Sequence, residues 1–282
     1  MMQSRRHILA ALALLGPMPW VRGQPIDTYK YRDTGRISKR DDYQARLLAL
    51  ALEKTVATDG PYALNRVVAT YSPRRMLQEM SEGKRINIFV GTGQAHGPGL
   101  ASNEQICVPF PIFDALLGYR HLIMRKEDED RFSAISTLDQ LKRLRAGQGH
   151  EWLDARILRH NGFRVDDSGN LDNLLPMLHS RRFDYVPMSI VEVQSLIERH
   201  PDLADQLMIA PGIAIQYTLP SVFFVSKKFP ALAARLERGL LLAKKDGSFD
   251  HLLRTTFRKE LQAMAAPATR RFTIVNPFLS DL

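Results

Sequence analysis

The sequence predicts an α/β fold in which mixed sheets are flanked by helices, and three observations carry that expectation. Short, buried-type apolar segments alternate with stretches of helical spacing along nearly the whole chain, the pattern of a sheet covered by helices. At 282 residues and 45% hydrophobic content, the chain is long enough for two modest domains or one large one with a sizeable core. Cys107 is the single cysteine, which excludes an internal disulfide and any cysteine-rich metal site.

Residues 1–23 precede the fold. Arg5 and Arg6 stand before the apolar run "HILAALALLGPMPW", and "VRG" follows it. The run is shorter than the ~20 apolar residues that span a bilayer, so the segment reads as an export signal and not as an anchor. "SRRHILA" resembles a twin-arginine signal, which implies export in a folded state; an ordinary secretory signal with two positive charges fits as well. Both lead to the periplasm, and the signal has no cysteine to carry a lipid. Its removal takes away Arg5, Arg6 and Arg22 and no acid, lowering the formal charge from +9 to +6. The remaining lysines and arginines are scattered and not interleaved with aromatics, which speaks against a nucleic-acid stripe.

The elements then follow in order. "IDTYKYRD" reads as a strand, and "YQARLLALALEKTV" has leucines and alanines at helical spacing. "YALNRVVATYS" returns to strand composition. Pro73 opens a short helix at proline's favoured first position, with Gly83 beyond its end. "RINIFVG" is a compact strand, followed by the glycine-rich loop "GTGQAHGP" at 91–98. "ICVPFPIF" and "YRHLIMRK" are strands, with Cys107 expected to be buried in the first of them, and "KEDEDR" at 126–131 is a solvated corner. A second series starts at "STLDQLKRL", where Ser136 or Thr137 caps a helix. It continues with a strand from Leu144, a turn on Gly147 and Gly149, helices at 150–160, 171–180 and 189–199, and the strand "FDYVPM". "LMIAPGIAIQY" and "PSVFFVSKK" are strands, and "ALAARLERGLLLAKK" and "GSFDHLLRTTFRKEL" are closing amphipathic helices. "MAAPATRR" and the last residues read as loose.

Four segments in this order, "PIFDALLGYRHLIMRKED", "STLDQLKRLRAGQGHEWLDARILRHNGF", "MLHSRRFDYVPMS" and "LPSVFFVSKKFPALAARLERGLLLAKKDGSFDHLL", resemble the periplasmic solute-binding proteins of the polar amino-acid type. The resemblance implies the two-lobe, type 2 periplasmic fold: one lobe from 24–122 with 214–282, the other from 123–213, each a mixed sheet flanked by helices, joined by two crossing hinge strands. It implies a monomer that closes over a small-molecule solute and hands it to a membrane transporter permease of the ABC type, or reports it to a membrane sensor, with no cofactor.

The expected site residues follow from that likeness and from local chemistry. The loop matching "GQGHEW" sits at the family's cleft, where the first N–H groups of a helix lack internal partners and favour an anion or carbonyl oxygen. Gly147 and Gly149 let backbone approach, Gln148 offers an amide, and Trp152 walls the pocket; alternatively the glycines make a tight turn and Trp152 is core. Arg120 is a bidentate clamp for a carboxylate, or a surface arginine on an edge strand. Thr92 matches the family's first-lobe hydroxyl, or simply forms a turn. Two departures bear on the ligand. Residues 86–119 contain no arginine or lysine where amino-acid binders place one on the α-carboxylate, and Ser189 stands where they place an aspartate on the amino group. A free α-amino acid is therefore disfavoured, unless Arg120 and another carboxylate take over those two roles. Asp184 is expected to order its strand.

Catalytic and metal patterns are weak: no histidine pair has metal-ligand spacing and there is no G-x-S-x-G elbow. Glu151 and Asp154 lie in the first turn of the cleft helix, where the dipole favours acids whatever the function. The expectation is a binding protein and not an enzyme. The competing readings are a ligand sensor and a dehydratase-type enzyme on the same scaffold.

Overall fold

The computed structural model describes residues 26–92 and 104–279. The expected signal at 1–23 and most of the loop at 91–98 lie outside them. Among the described residues eleven strands form: β1 Asp27–Asp33, β2 Tyr62–Val68, β3 Ile88–Thr92, β4 Gln105–Val108, β5 Tyr119–Arg125, β6 Arg145–Gly149, β7 Arg164–Gly169, β8 Tyr185–Ser189, β9 Leu207–Gln216, β10 Ser221–Ser226 and β11 Arg270–Thr273. They make two sheets, in the orders β2-β1-β3-β10-β4 and β11-β9-β5-β8-β6-β7. In the first, β1 runs parallel to β2 and β3 while β10 is antiparallel to β3 and β4. In the second, β5 is antiparallel to β8 and β9, and β6 is parallel to β7 and β8. Both sheets are mixed, as expected.

The chain passes from the first sheet to the second at β5 and returns between β9 and β10. These two crossing strands pair antiparallel, with an irregularity between His121 and Ile123. Gly118 marks the crossing: a Cβ there would stand 1.8 Å from the Tyr217 carbonyl oxygen, and the Tyr217 N–H donates to the Gly118 carbonyl at 3.2 Å. Because both clashing groups are backbone, Gly118→Ala should cost about 1–3 kcal/mol, the usual range for overpacking. Urea unfolding measures this; an unchanged midpoint would mean that the crossing strands part without cost.

The helices of the first lobe bury one face each. Helix Ser38–Glu53 packs Tyr43, Leu47, Leu48 and Ala51 inward, and helix Pro230–Lys245 packs Leu232, Leu236, Leu240 and Ala243, each fully buried leucine contributing roughly 1.5–3 kcal/mol. Arg235 lies on that inward face at 1% exposure. Its guanidinium reaches Asp27 and Thr55 at 2.9 Å and the Gly60 carbonyl at 2.6 Å, so the helix is tied to β1 without an orphaned charge. The predicted punctuation holds. Ser72 caps helix Pro73–Glu82, and Gly83 closes it at φ 65°. Thr137 forms a full capping box with Gln140 ahead of helix Leu138–Arg143.

Several expectations need correction. Gly147 and Gly149 are not a turn; they lie within β6. The following helix begins at Leu153, not His150, and the next two shorten to Leu174–His179 and Val193–Glu198. β7 was not predicted, because "RVDDSG" is a polar edge strand with little apolar signal. Arg270 and Arg271, read as the end of a loose segment, instead begin β11, which adds to the second sheet through β9. Cys107 is exposed, not buried: among the described residues β4 is an edge strand with β10 as its one neighbour, so its outer flank meets solvent.

Candidate functional site

A cavity of about 300 Å³ lies between the two sheets. The carboxyl ends of the parallel strands supply its first wall, the usual place for contacts in open α/β sheets: Arg32 and Thr34 at the end of β1, and Gly91 and Thr92 at the end of β3. Arg40 and Gln44, one turn apart on helix Ser38–Glu53, complete it. Trp152, Asp154, Leu171, Met188 and Glu192 form the facing wall, and Phe113, Leu117, Arg120 and Leu219 line the floor beside the crossing strands.

The start of helix Ser38–Glu53 is built around Asp41, which is fully buried. It accepts from the Thr34 hydroxyl at 2.5 Å and from the N–H groups of Arg36 and Ile37 at 3.3 Å. Burial alone would push this carboxyl up, but Arg40 and these donors hold it below the usual carboxylate range. Arg40 donates to Asp41 at 2.9 Å and also pairs with Glu192 from the opposite wall. Burial opposes its charge, and the two carboxylates more than restore it, leaving its pKa raised.

Arg120 enters the cavity from β5 at 4% exposure. It pairs with Asp154 at 2.5 Å, approaches Glu192 at 4.0 Å, and lies 5.2 Å from the centre of the Tyr217 ring. The Tyr217 hydroxyl donates to the same Asp154 oxygen. Burial raises the Tyr217 phenol well above its ordinary value, so it stays a donor. Glu192 thus bridges an arginine of the first lobe and one on a crossing strand. Outside the cavity, Asp172 holds Arg36 at 3.2 Å and Arg199 at 2.7 Å, and Arg199 also reaches the Arg36 carbonyl at 3.1 Å.

Of the residues expected from sequence, Thr92, Arg120 and Trp152 meet at this cavity. Gly147, Gln148, Gly149 and Ser189 do not line it. A Cβ at Gly147 would come within 2.3 Å of the Phe183 ring, and one at Gly149 within 2.2 Å of the Trp152 ring. These glycines therefore make room for aromatic rings on β6, and through Gly149 the backbone seats the cavity's tryptophan. Gln148 is fully buried and donates to the Pro187 carbonyl at 2.9 Å. Ser189 is likewise buried and donates to the Leu116 carbonyl at 3.3 Å. Asp184 orders the edge of its strand, accepting from the Arg145 N–H at 2.7 Å and pairing with Arg131 at 2.9 Å. The start of helix Leu153–His160 has no side-chain cap; Asp154, at its second position, sets its own carboxylate beside the dipole's positive end.

Sequence reasoning missed Arg32, Arg40, Gln44 and Glu192. The available signal was "TGRISKRDDYQ", where Arg40 and Gln44 share a helix face and Asp41 follows a turn. Among the described residues no histidine lines the cavity, and no group of three or more His, Cys, Asp or Glu side chains is placed to hold a metal ion.

No protein-family model matches the chain, and no curated protein matches it in sequence. Solved structures do resemble it. An ancestral arginine-binding protein bound to glutamine superposes with a TM-score of 0.56 at 16% identity, over 83% of this chain and 99% of that one. An amino-acid ABC transporter substrate-binding protein from Streptococcus pneumoniae bound to L-arginine gives 0.54 at 10% identity, over 81% and 93%. A histidine kinase sensor domain with similarity to periplasmic binding proteins gives 0.50 at 14% identity, over 82% and 95%. At such identities the likeness is one of fold: the chain has the two-lobe architecture of periplasmic binding proteins.

Proposed function

We propose that this chain is an exported solute-binding protein that captures a small polar or anionic solute between its lobes and delivers it to a membrane transporter. The observation that carries the reading is the interlobe cavity at the strand ends, with its arginines, hydroxyls and single tryptophan. The structural relatives that bind amino acids support solute capture in general. Trp152 and Thr92 are the contacts retained from the sequence reading, while Gly147, Gln148, Gly149 and Ser189 act by shaping the strands behind the wall. Arg120 faces the cavity with its charge already engaged by Asp154.

A sensor role is the second reading, favoured by the likeness to a histidine kinase sensor domain; in that case the closed form is read by a receptor and no cargo is passed on. A dehydratase-type reaction fits the site less well. The carboxylates at the cavity, Asp154 and Glu192, each hold an arginine, so neither is set up as an unencumbered base.

The chain has two tryptophans, Trp20 and Trp152. Once residues 1–23 are removed, Trp152 is the remaining one, and its fluorescence reports on the cavity wall. A screen of the mature chain against amino acids, organic acids, sugars and short peptides should find a solute that shifts this emission and raises the melting temperature. A ligand at a hundredfold excess over Kd adds roughly 2.7 kcal/mol of stability. A screen that moves neither signal would remove the solute-binding reading. Export is checked separately: the N-terminus of the secreted chain should begin near Gln24.

A further inference from the structure

We infer that the cavity is built for a small monocarboxylate without an ammonium group, its carboxylate held by Arg32. The inference rests on the solute-binding reading and narrows it. Three arginines line the cavity, and they are not equivalent. Arg40 has Asp41 and Glu192 as counter-charges, and Arg120 has Asp154. Arg32 donates through Nε to the Ala69 carbonyl at 3.1 Å, and among the described residues no carboxylate lies within ion-pairing distance of it. Residues 93–103, which continue from Thr92, carry no acidic side chain.

A half-buried guanidinium without a counter-charge is costly to keep ionised. Burial, and then repulsion from Arg40, lower the pKa of Arg32. An anion docked on it relieves both penalties. A carboxylate matches the guanidinium fork with two parallel hydrogen bonds, and one unpaired arginine calls for one negative charge. The same accounting argues against an amino acid. An α-ammonium would need a carboxylate of its own, and the two that line the cavity are each neutralised by an arginine. The uncharged lining is mixed: Ile37, Phe113, Leu117, Trp152, Met188 and Leu219 give an apolar side that suits a hydrocarbon or aromatic body, and Thr34, Gln44, Thr92 and Ser221 add polar groups beside it.

Matched probes test this on the unaltered mature chain by calorimetry and Trp152 fluorescence. These are 3-phenylpropanoate and 4-methylpentanoate, their primary amides, and phenylalanine and leucine, which carry the same skeletons with an ammonium group. Each carboxylate should bind at least tenfold tighter than its amide and than its amino acid. Arg32→Gln should weaken the carboxylates at least tenfold, and Arg32→Lys less. Equal affinity for acid and amide, or amino acids bound as tightly as their deaminated forms, overturns the inference and leaves solute capture standing. The same holds if the six probes fail while another solute class binds in the wider screen. If nothing binds in either experiment, both readings fall. The acid and amide comparison needs no variant, so a misfolded Arg32→Gln chain would not shield the inference.

Discussion

Asp154→Ala should lower the unfolding free energy by about 3–5 kcal/mol, because it leaves Arg120 buried without its partner. Arg120 is 4% exposed, and Glu192, the next carboxylate, stands 4.0 Å away and already serves Arg40. The Tyr217 ring face offers some attraction, worth about 0.5–2 kcal/mol, which does not replace a carboxylate at 2.5 Å. At roughly 2–4 °C per kcal/mol for a chain of this size, the melting temperature should fall by about 6–20 °C. The paired replacement Asp154→Ala with Arg120→Met removes both charges and should recover most of the loss, since replacing a buried pair by apolar groups is often neutral. A loss below about 1 kcal/mol in the single variant would mean that Arg120 swings out to solvent. Chemical denaturation of the two variants beside the parent chain decides it. The pair therefore has a structural role at the cavity floor, which is why Arg120 alone is a poor probe of ligand contact.

Much of the architecture was legible because the strands of this fold are apolar and short. "RINIFVG", "YRHLIMRK", "FDYVPM" and "PSVFFVSKK" each became a strand, since burial on both faces demands that composition. The two edges of the second sheet were not legible for the same reason: β7 carries an arginine and two aspartates and β11 two arginines, so hydrophobic patterning has little to read. The site was legible only in part. Thr92 and Trp152 were expected from a resemblance that says which loops face the cleft, and Arg120 from the chemistry of its guanidinium; all three line the cavity. What a side chain does there depends on its partner across the fold, and Arg40 meets Glu192 from 152 positions away. Nor could sequence tell that Arg32, one of 39 lysines and arginines, lacks a counter-charge among the described residues. The glycines of "GQG" show the converse error: two glycines before a helix suggested a turn, whereas rings of Phe183 and Trp152 occupy the space that their missing side chains leave.

Glu192→Gln should release the two lobes from each other. Glu192 joins Arg40 on the first wall to the second lobe, with side-chain exposures of 12% and 19%, so the pair is mostly shielded from water and from salt. Because Arg40 keeps Asp41, the loss should fall short of that for an orphaned buried charge, about 2–3 kcal/mol, yet it bears directly on the distance between the lobes. At 1.4 kcal/mol per tenfold, it shifts the balance between bridged and parted lobes by roughly 30- to 140-fold toward the parted form. Small-angle scattering of the mature variant should show a larger radius of gyration than the parent. Asp172→Ala is the contrast. It also breaks a link between the lobes, through Arg36 and Arg199, but at 51% exposure such a pair is worth about 0–1 kcal/mol, and the radius should barely change. A solute that needs both walls would then bind Glu192→Gln more weakly by the fraction of molecules still bridged, while its contacts stay intact. A Glu192→Gln chain with the parent's radius and affinity would show that the lobes are held by the crossing strands alone, and that the carboxylate between Arg40 and Arg120 contributes only local charge balance.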